Sequence, residues 1–170
     1  MLQNRRHLQS DRLAQELLFS TNMVPFPGSD LARIVDETLF RHIVQLEIIK
    51  AQRLHYYVSI VCLSIDSPHA EIDDSLMSRL AEGFLDRIRA TDVVVPRPAS
   101  SWTLLLVDAQ PRALPSIVHR LTEHFGRLRW SAGGASYPGT AFGAEDLLRR
   151  ASDLAAQAQE EGGHQLYLPS

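Results

Sequence analysis

The sequence has little cysteine, almost no lysine and no long apolar run. Cys62 is the only cysteine in 170 residues, which excludes a disulfide framework and leaves a small residue in an apolar stretch, expected in the core. Lys50 is the only lysine, so nearly all positive charge sits on arginine. Arginine grips phosphates and guanine edges in bidentate fashion, although genomic base composition alone produces the same bias. No apolar run reaches the roughly 20 residues of a membrane-spanning helix. The opening "MLQNRRHLQSDRL" lacks the apolar core of a signal peptide. A net charge of −3 provides no bulk attraction to nucleic acid or anionic membrane. What is left, 45% hydrophobic and 22% charged, is enough for a globular core, and the chain reads as cytoplasmic.

Residues 1–28 read as an N-terminal helix and linker: a short amphipathic helix over 1–21, with Leu8, Leu13, Leu17 and Leu18 toward one side, then a break at "MVPFPGSD". The main domain is expected over 29–170. Ser29 or Asp30 would cap a helix running from Leu31 to Arg53, where Leu31, Ile34, Val35, Leu39, Ile43, Leu46 and Ile49 recur at helical spacing. "YYVSIVCLSID" (56–66) is a nearly continuous apolar run, as in a central strand covered on both faces. After the turn "SPHAEIDD", with Asp73 and Asp74 suited to a helix start, Leu76, Leu80, Phe84 and Ile88 space a helix to Arg89. Two strands, "VVV" (93–95) and "WTLLLV" (102–107), flank "PRPASS". A helix stripe follows in Leu114, Ile117, Val118, Leu121 and Phe125, then a strand over 128–137 carrying Gly133-Gly134. A last helix runs from Leu147 to Ala158 and stops at Gly162-Gly163, and "HQLYL" closes as a short strand. The order predicts an α/β layer with one mixed sheet of about five strands flanked by helices.

Most chemistry-bearing residues read as structural. The histidines are scattered, and the spacing of His119 and His124 is poor for two ligands on one helix. Gly133-Gly134 lies in mid-strand, away from any Gly-x-Gly-x-x-Gly, and fits close packing or a bulge. "NRRHLQSDR" reads as a solvated helix face. Arg-x-x-Asp occurs three times, at Arg33/Asp36, Arg89/Asp92 and Arg150/Asp153. The first and third read as solvated i,i+3 pairs on helices, worth about 0.3 kcal/mol each.

The element order and four segments together resemble the GGDEF (diguanylate cyclase) domain over about residues 30–168. "YYVSIVCLSID" is similar to its first strand, "RATDVVVPRP" to the approach to its signature hairpin, "WSAGGASY" to its Ser-x-Gly strand, and "AEDLLRRASDLAAQAQEEGGHQLYL" to its closing helix and strand. The resemblance implies the cyclase-type palm fold. It also places the family's Gly-Gly-Asp/Glu-Glu-Phe signature at Pro98-Ala99-Ser100-Ser101-Trp102. Trp102 then stands for the aromatic anchor, while the glycines that admit a triphosphate and the acids that hold divalent metal become Pro98, Ala99, Ser100 and Ser101. Ser64 stands where the first strand carries a metal aspartate, leaving Asp66, and Gln159 stands for the lysine of the last helix. "SPHAEIDD" is shorter than the family's guanine loop and lacks its Gly-His. Neutral hydroxyls are poor ligands for Mg²⁺, so the expectation is a degenerate domain with no cyclase activity, no metal and no cofactor.

The same resemblance gives Arg89-x-x-Asp92 the position of the family's second, product-binding site, with Arg120 supplied by the following helix. Arg89 would grip a guanine edge or phosphate, Asp92 would accept from guanine N1–H and N2–H, and Arg120 would add a phosphate or Hoogsteen contact. The expected ligand is cyclic di-GMP. Three rival readings accompany it: a structural role only for the Arg89/Asp92 pair; a protein-interaction or homodimerisation module working through the N-terminal helix, with no nucleotide; and a residual enzyme using Asp66 and Asp74.

Overall fold

The computed structural model describes residues 33–66 and 73–169. The N-terminal helix, the linker and the Ser29 or Asp30 cap expected from the sequence lie outside the described residues, as does most of "SPHAEIDD".

Helix α1 (Glu37–Leu54) leads into strand β1 (Val58–Ile65), helix α2 (Asp74–Leu85) and the hairpin β2 (Val93–Arg97) and β3 (Ser101–Val107). Helix α3 (Leu114–Thr122), strand β4 (Trp130–Tyr137), helix α4 (Ala144–Glu160) and strand β5 (Gln165–Tyr167) complete the chain. The strands form one sheet in the order β2-β3-β1-β4-β5. β1 is antiparallel to both β3 and β4, and β5 is parallel to β4, so the sheet is mixed, with β1 at its centre. This is the α/β architecture expected from the sequence.

The near-continuous apolar run of β1 feeds two cores. Val61, Leu63 and Ile65 join Trp102, Leu104 and Leu106 of β3 under α2 and α3, with Phe84, Leu114, Val118 and Leu121. Ile60 and Leu105 point to the other face, with Phe40, Val44 and Ile48 of α1 and Leu147, Leu148 and Ala151 of α4. The alternation along each strand divides its residues between these two layers. Helix α4 comes unusually close to the sheet. A Cβ on Gly133 would stand 2.1 Å from the Ala155 amide nitrogen and 2.4 Å from the Ala151 carbonyl oxygen. The mid-strand glycine therefore serves close packing of helix on strand.

Two boundaries differ from the sequence reading. The first helix begins at Glu37, not Leu31. Asp36 caps it, accepting from the Leu39 amide at 2.8 Å. Residues before it take an extended path instead: Ile34 forms a bridge with Val94, and the Val35 amide donates to the Val94 carbonyl at 3.0 Å. Helix α2, capped by Asp73, ends at Leu85 and not at Arg89. The remaining residues to Asp92 form turns.

His124 sits over Gly83, edge-on to Phe84 at 5.5 Å between ring centres, with its Nε2 3.2 Å from the Leu80 carbonyl oxygen. Burial, with Arg87 as a further cation nearby, holds its pKa below the ordinary value.

Two tests follow. Gly133→Ala must push α4 off the sheet at backbone atoms that cannot yield, and should cost about 3 kcal/mol or more, read by denaturant unfolding. Because the folded-state pKa of His124 lies below the unfolded value of about 6.5, the neutral ring stabilises the fold at neutral pH and that contribution is lost as pH falls below this value. The thermal midpoint should drop between pH 7.5 and 5.5, and His124→Phe should flatten the drop.

Candidate functional site

Two cavities collect the residues that the sequence singles out. The larger, about 530 Å³, lies between α1, the tip of the β2–β3 hairpin, the end of β1 and α4. Ser64, Ser101 and Gln159, three positions at which the resemblance expects metal acids and a lysine, all line it. Pro98, Arg41, Arg97, Arg149, Glu145 and Asp153 also contribute.

The hairpin tip is built without glycine. Arg97 pairs with Ser101 across a loop in which Ala99 and Ser100 adopt φ of 57° and 53°. These left-handed conformations cost an L-residue roughly 1–2 kcal/mol each. The loop is tied down by the Ile65 amide, which donates to the Ser100 carbonyl at 3.0 Å, and by the Ser101 hydroxyl, which donates to the Pro98 carbonyl at 2.8 Å. Trp102, which also lines the cavity, is 1% exposed and packs edge-on to Phe84 at 5.0 Å between centroids.

The charges around this cavity satisfy one another. Arg41 binds Glu37 at 2.6 Å and Glu145 at 3.0 Å, Arg97 binds Glu37 at 2.5 Å, and Arg149 binds Asp153 at 3.2 Å. Asp66 accepts from the hydroxyls of Ser64 and Ser131. The donor set does not fit a magnesium ion. The hydroxyls that line the cavity, on Ser64, Ser101, Thr103 and Ser152, are neutral, the nearby described acids are engaged by arginines or serines, and no group of three His, Cys, Asp or Glu among the described residues is placed to hold a metal. Cys62, expected in the core, is half-buried and lines this cavity, with burial pushing its thiol pKa up.

The smaller cavity, about 260 Å³, is lined by Arg89, Asp92 and Arg120, together with Val107, Asp108 and Ser116. The three residues that sequence reasoning grouped thus meet from the loop after α2 and from α3. Asp92 is 4% exposed, and both of its carboxylate oxygens are occupied. Oδ2 accepts from the Arg89 amide and Oδ1 from the Val107 amide, each at 2.9 Å. Burial raises its pKa despite these two bonds. Arg120 Nε donates to the Arg87 carbonyl at 3.1 Å.

The other two Arg-x-x-Asp sequences do not form the ion pairs expected of them. Asp36 caps α1, while Arg33 reaches across the fold to the carbonyls of Leu85, Ile88 and Arg89. Arg150 pairs with Asp146 one turn earlier at 3.0 Å, and Asp153 pairs with Arg149. In a helix, i−4 neighbours compete with i+3 ones, and here they win. Arg33 is a residue that sequence reasoning missed, because a bond to a distant carbonyl leaves no spacing signal.

No protein-family model matches the chain, and no curated protein matches it in sequence. Solved structures do. The GGDEF domain of YfiN (TpbB) from Pseudomonas aeruginosa aligns at 17% identity and a TM-score of 0.72, covering 82% of this chain and 99% of that one. The active GGEEF domain of a diguanylate cyclase from Vibrio cholerae aligns at 14% identity and a TM-score of 0.70, covering 78% and 96%. The GGDEF domain of DgcB from Caulobacter crescentus, solved in complex with cyclic di-GMP, aligns at 11% identity and a TM-score of 0.70, covering 87% and 97%. The fold is that of GGDEF domains. No helix among the described residues is long and apolar enough to cross a membrane.

Asp92→Asn tests the role of that carboxylate in the fold. An amide offers one acceptor where two backbone N–H groups converge, and its NH₂ would face a donor. A net loss of about 1–3 kcal/mol is expected in denaturant unfolding with no ligand present.

Proposed function

We propose that this GGDEF-fold domain is a catalytically silent cytoplasmic receptor that binds cyclic di-GMP through Arg89, Asp92 and Arg120. The observation that carries the reading is that these three residues, from two separate elements, line one cavity. Arg89 and Arg120 supply donors for a dianion with two guanines. Asp92 contributes chiefly by fixing the Arg89 backbone, because its own oxygens are engaged by amides. The likeness to a DgcB domain holding cyclic di-GMP supports the ligand choice.

The silence of the larger cavity is supported by its chemistry. Phosphoryl transfer relies on metal and positioned cations. At this cavity Ser64 and Ser101 are neutral, and Arg41, Arg97 and Arg149 are neutralised by the chain's own acids. A second reading, a protein-interaction module that binds no nucleotide, is favoured by the full occupation of the Asp92 carboxylate, which a structural loop clamp alone would explain.

Calorimetry of the full chain decides between them. Wild-type protein should release or absorb heat with cyclic di-GMP, and Arg89→Ala should lose about ten- to a hundredfold in affinity. Arg150→Ala, which carries the same local sequence but pairs with Asp146, should bind as wild type does. No heat well above micromolar ligand would leave the interaction module standing, and an Arg89→Ala variant that binds as tightly as wild type would overturn the assignment of the ligand to this cavity. Incubation with GTP and Mg²⁺ or Mn²⁺ should yield no dinucleotide by chromatography.

A further inference from the structure

Arg33 lies just before α1, far in sequence from the cyclic di-GMP cavity, yet its guanidinium spans the loop that carries Arg89. Its Nη2 donates to the Leu85 carbonyl at 2.9 Å. Its Nη1 is 3.0 Å from the Arg89 carbonyl oxygen and 3.3 Å from that of Ile88. Leu85 is the last residue of α2, and α2 has no basic residue in its last turn. The orphan carbonyls at a helix C-terminus need donors, and the negative end of the dipole favours a cation. Arg87, two residues past the helix, donates to the Gly83 carbonyl at 2.9 Å, and Arg33 brings a second cation to the Leu85 carbonyl from elsewhere in the chain. Arg33 is held in turn by its neighbours, since Ile34 bridges to Val94 and the Val35 amide donates to the Val94 carbonyl.

We infer that Arg33 is a positioning residue for the ligand site: it holds the loop after α2 in the shape that presents Arg89 to the cavity. The inference rests on the reading of that cavity as a cyclic di-GMP site. Its physical content is that Arg89 is gripped on both sides of its backbone. The Asp92 carboxylate takes its N–H, and Arg33 together with the Asp92 amide takes its C=O. Only the side chain is then left to order when a ligand arrives, which lowers the entropic cost of binding. The Arg120 side chain adds a further tie at the Arg87 carbonyl. A lysine could not take over the role of Arg33 in full. One ammonium is a compact point charge, whereas the planar guanidinium reaches three carbonyls with two nitrogens.

The test uses the full chain and two readouts, one of which needs no ligand. Hydrogen exchange of amides 86–92 should quicken in Arg33→Ala, while exchange in β1 and β3 stays as in wild type. Calorimetry with cyclic di-GMP should show binding weakened by about tenfold. Arg33→Lys should fall between wild type and Arg33→Ala in both readouts, and it carries the test if Arg33→Ala does not fold. Exchange in 86–92 that matches wild type overturns the inference, as does undiminished affinity in a wild type that binds. A wild type that takes up no cyclic di-GMP overturns the functional reading, and the exchange rates then still decide whether Arg33 holds the loop.

Discussion

The carboxylate of Asp92 ties the loop after α2 to the exit of β3, just beyond the end of the β2–β3 ladder where Val93 pairs with Leu105. One oxygen holds the amide of Arg89 in the loop after α2, and the other holds the amide of Val107 at the exit of β3. The cavity lined by Arg89 and Arg120 opens between these two segments and α3. The bond is a costly one, since burial disfavours the charge and raises the pKa of the acid. Two N–H donors offset that cost, and a neutral side chain of the same shape would supply only one acceptor in their place. An acid is therefore required here by the fold alone, before any ligand is considered.

The hairpin shows how a fold and its chemistry come apart. Successive residues of a strand face opposite sides of the sheet. Trp102, Leu104 and Leu106 point into the core beneath α2 and α3, while Ser101 and Thr103 line the larger cavity. The core side carries the hydrophobic free energy that sets the register, and its residues are large and apolar. On the other face Val93, Val95 and Leu105 are buried with residues of α1 and α4, so it is only toward the tip, where Ser101 lines the cavity, that polar residues can change without loss of the hairpin. The turn itself bears the strain of Ala99 and Ser100 in left-handed conformations, and the hydrogen bonds from Ile65 and Ser101 hold it in place.

Most of the fold was legible because its signals are periodic. The unbroken apolar run of β1 marks a central strand, and its two antiparallel neighbours cover it as expected. The helix stripes of α3 and α4 match their buried faces, but that of α1 does not: Leu39, Leu46 and Ile49 are exposed, and the buried face is Phe40, Val44, Ile48 and Ala51, offset from the predicted stripe by one to two residues. The errors fall where two readings share one pattern. Ile34 and Val35 fit the helical spacing of α1, but they are β-branched residues that join the edge of β2, and Asp36 caps the helix after them. Arg-x-x-Asp is equally ambiguous: in Arg150 and Asp153 both partners are taken by closer helical neighbours, and in Arg33 the partner is a set of carbonyls. Bonds from a side chain to distant backbone carry no residue-type signature on the acceptor side. That is why Arg33 read as a surface ion pair. Position relative to the hairpin did single out Arg89, Asp92 and Arg120, and they do share a cavity.

The two cavities sit at opposite ends of one strand. Ser101 and Thr103 at the start of β3 line the larger, and Leu106 and Val107 at its end line the smaller. A strand of this length spans roughly 20 Å, beyond the screening distance of about 8 Å for exposed charges at physiological salt. The ion pairs at the larger cavity therefore exert little direct field on Arg89 and Arg120. What connects the sites is the rigid ladder of β3 against β1 and β2, which fixes the position of Val107 and through it the Asp92 clamp. That ladder depends on the core-facing residues of β3 and not on the identity of Ser64 or Ser101. Within the functional reading given above, this is the physical basis on which catalytic acids could be absent at one end while a binding site persists at the other.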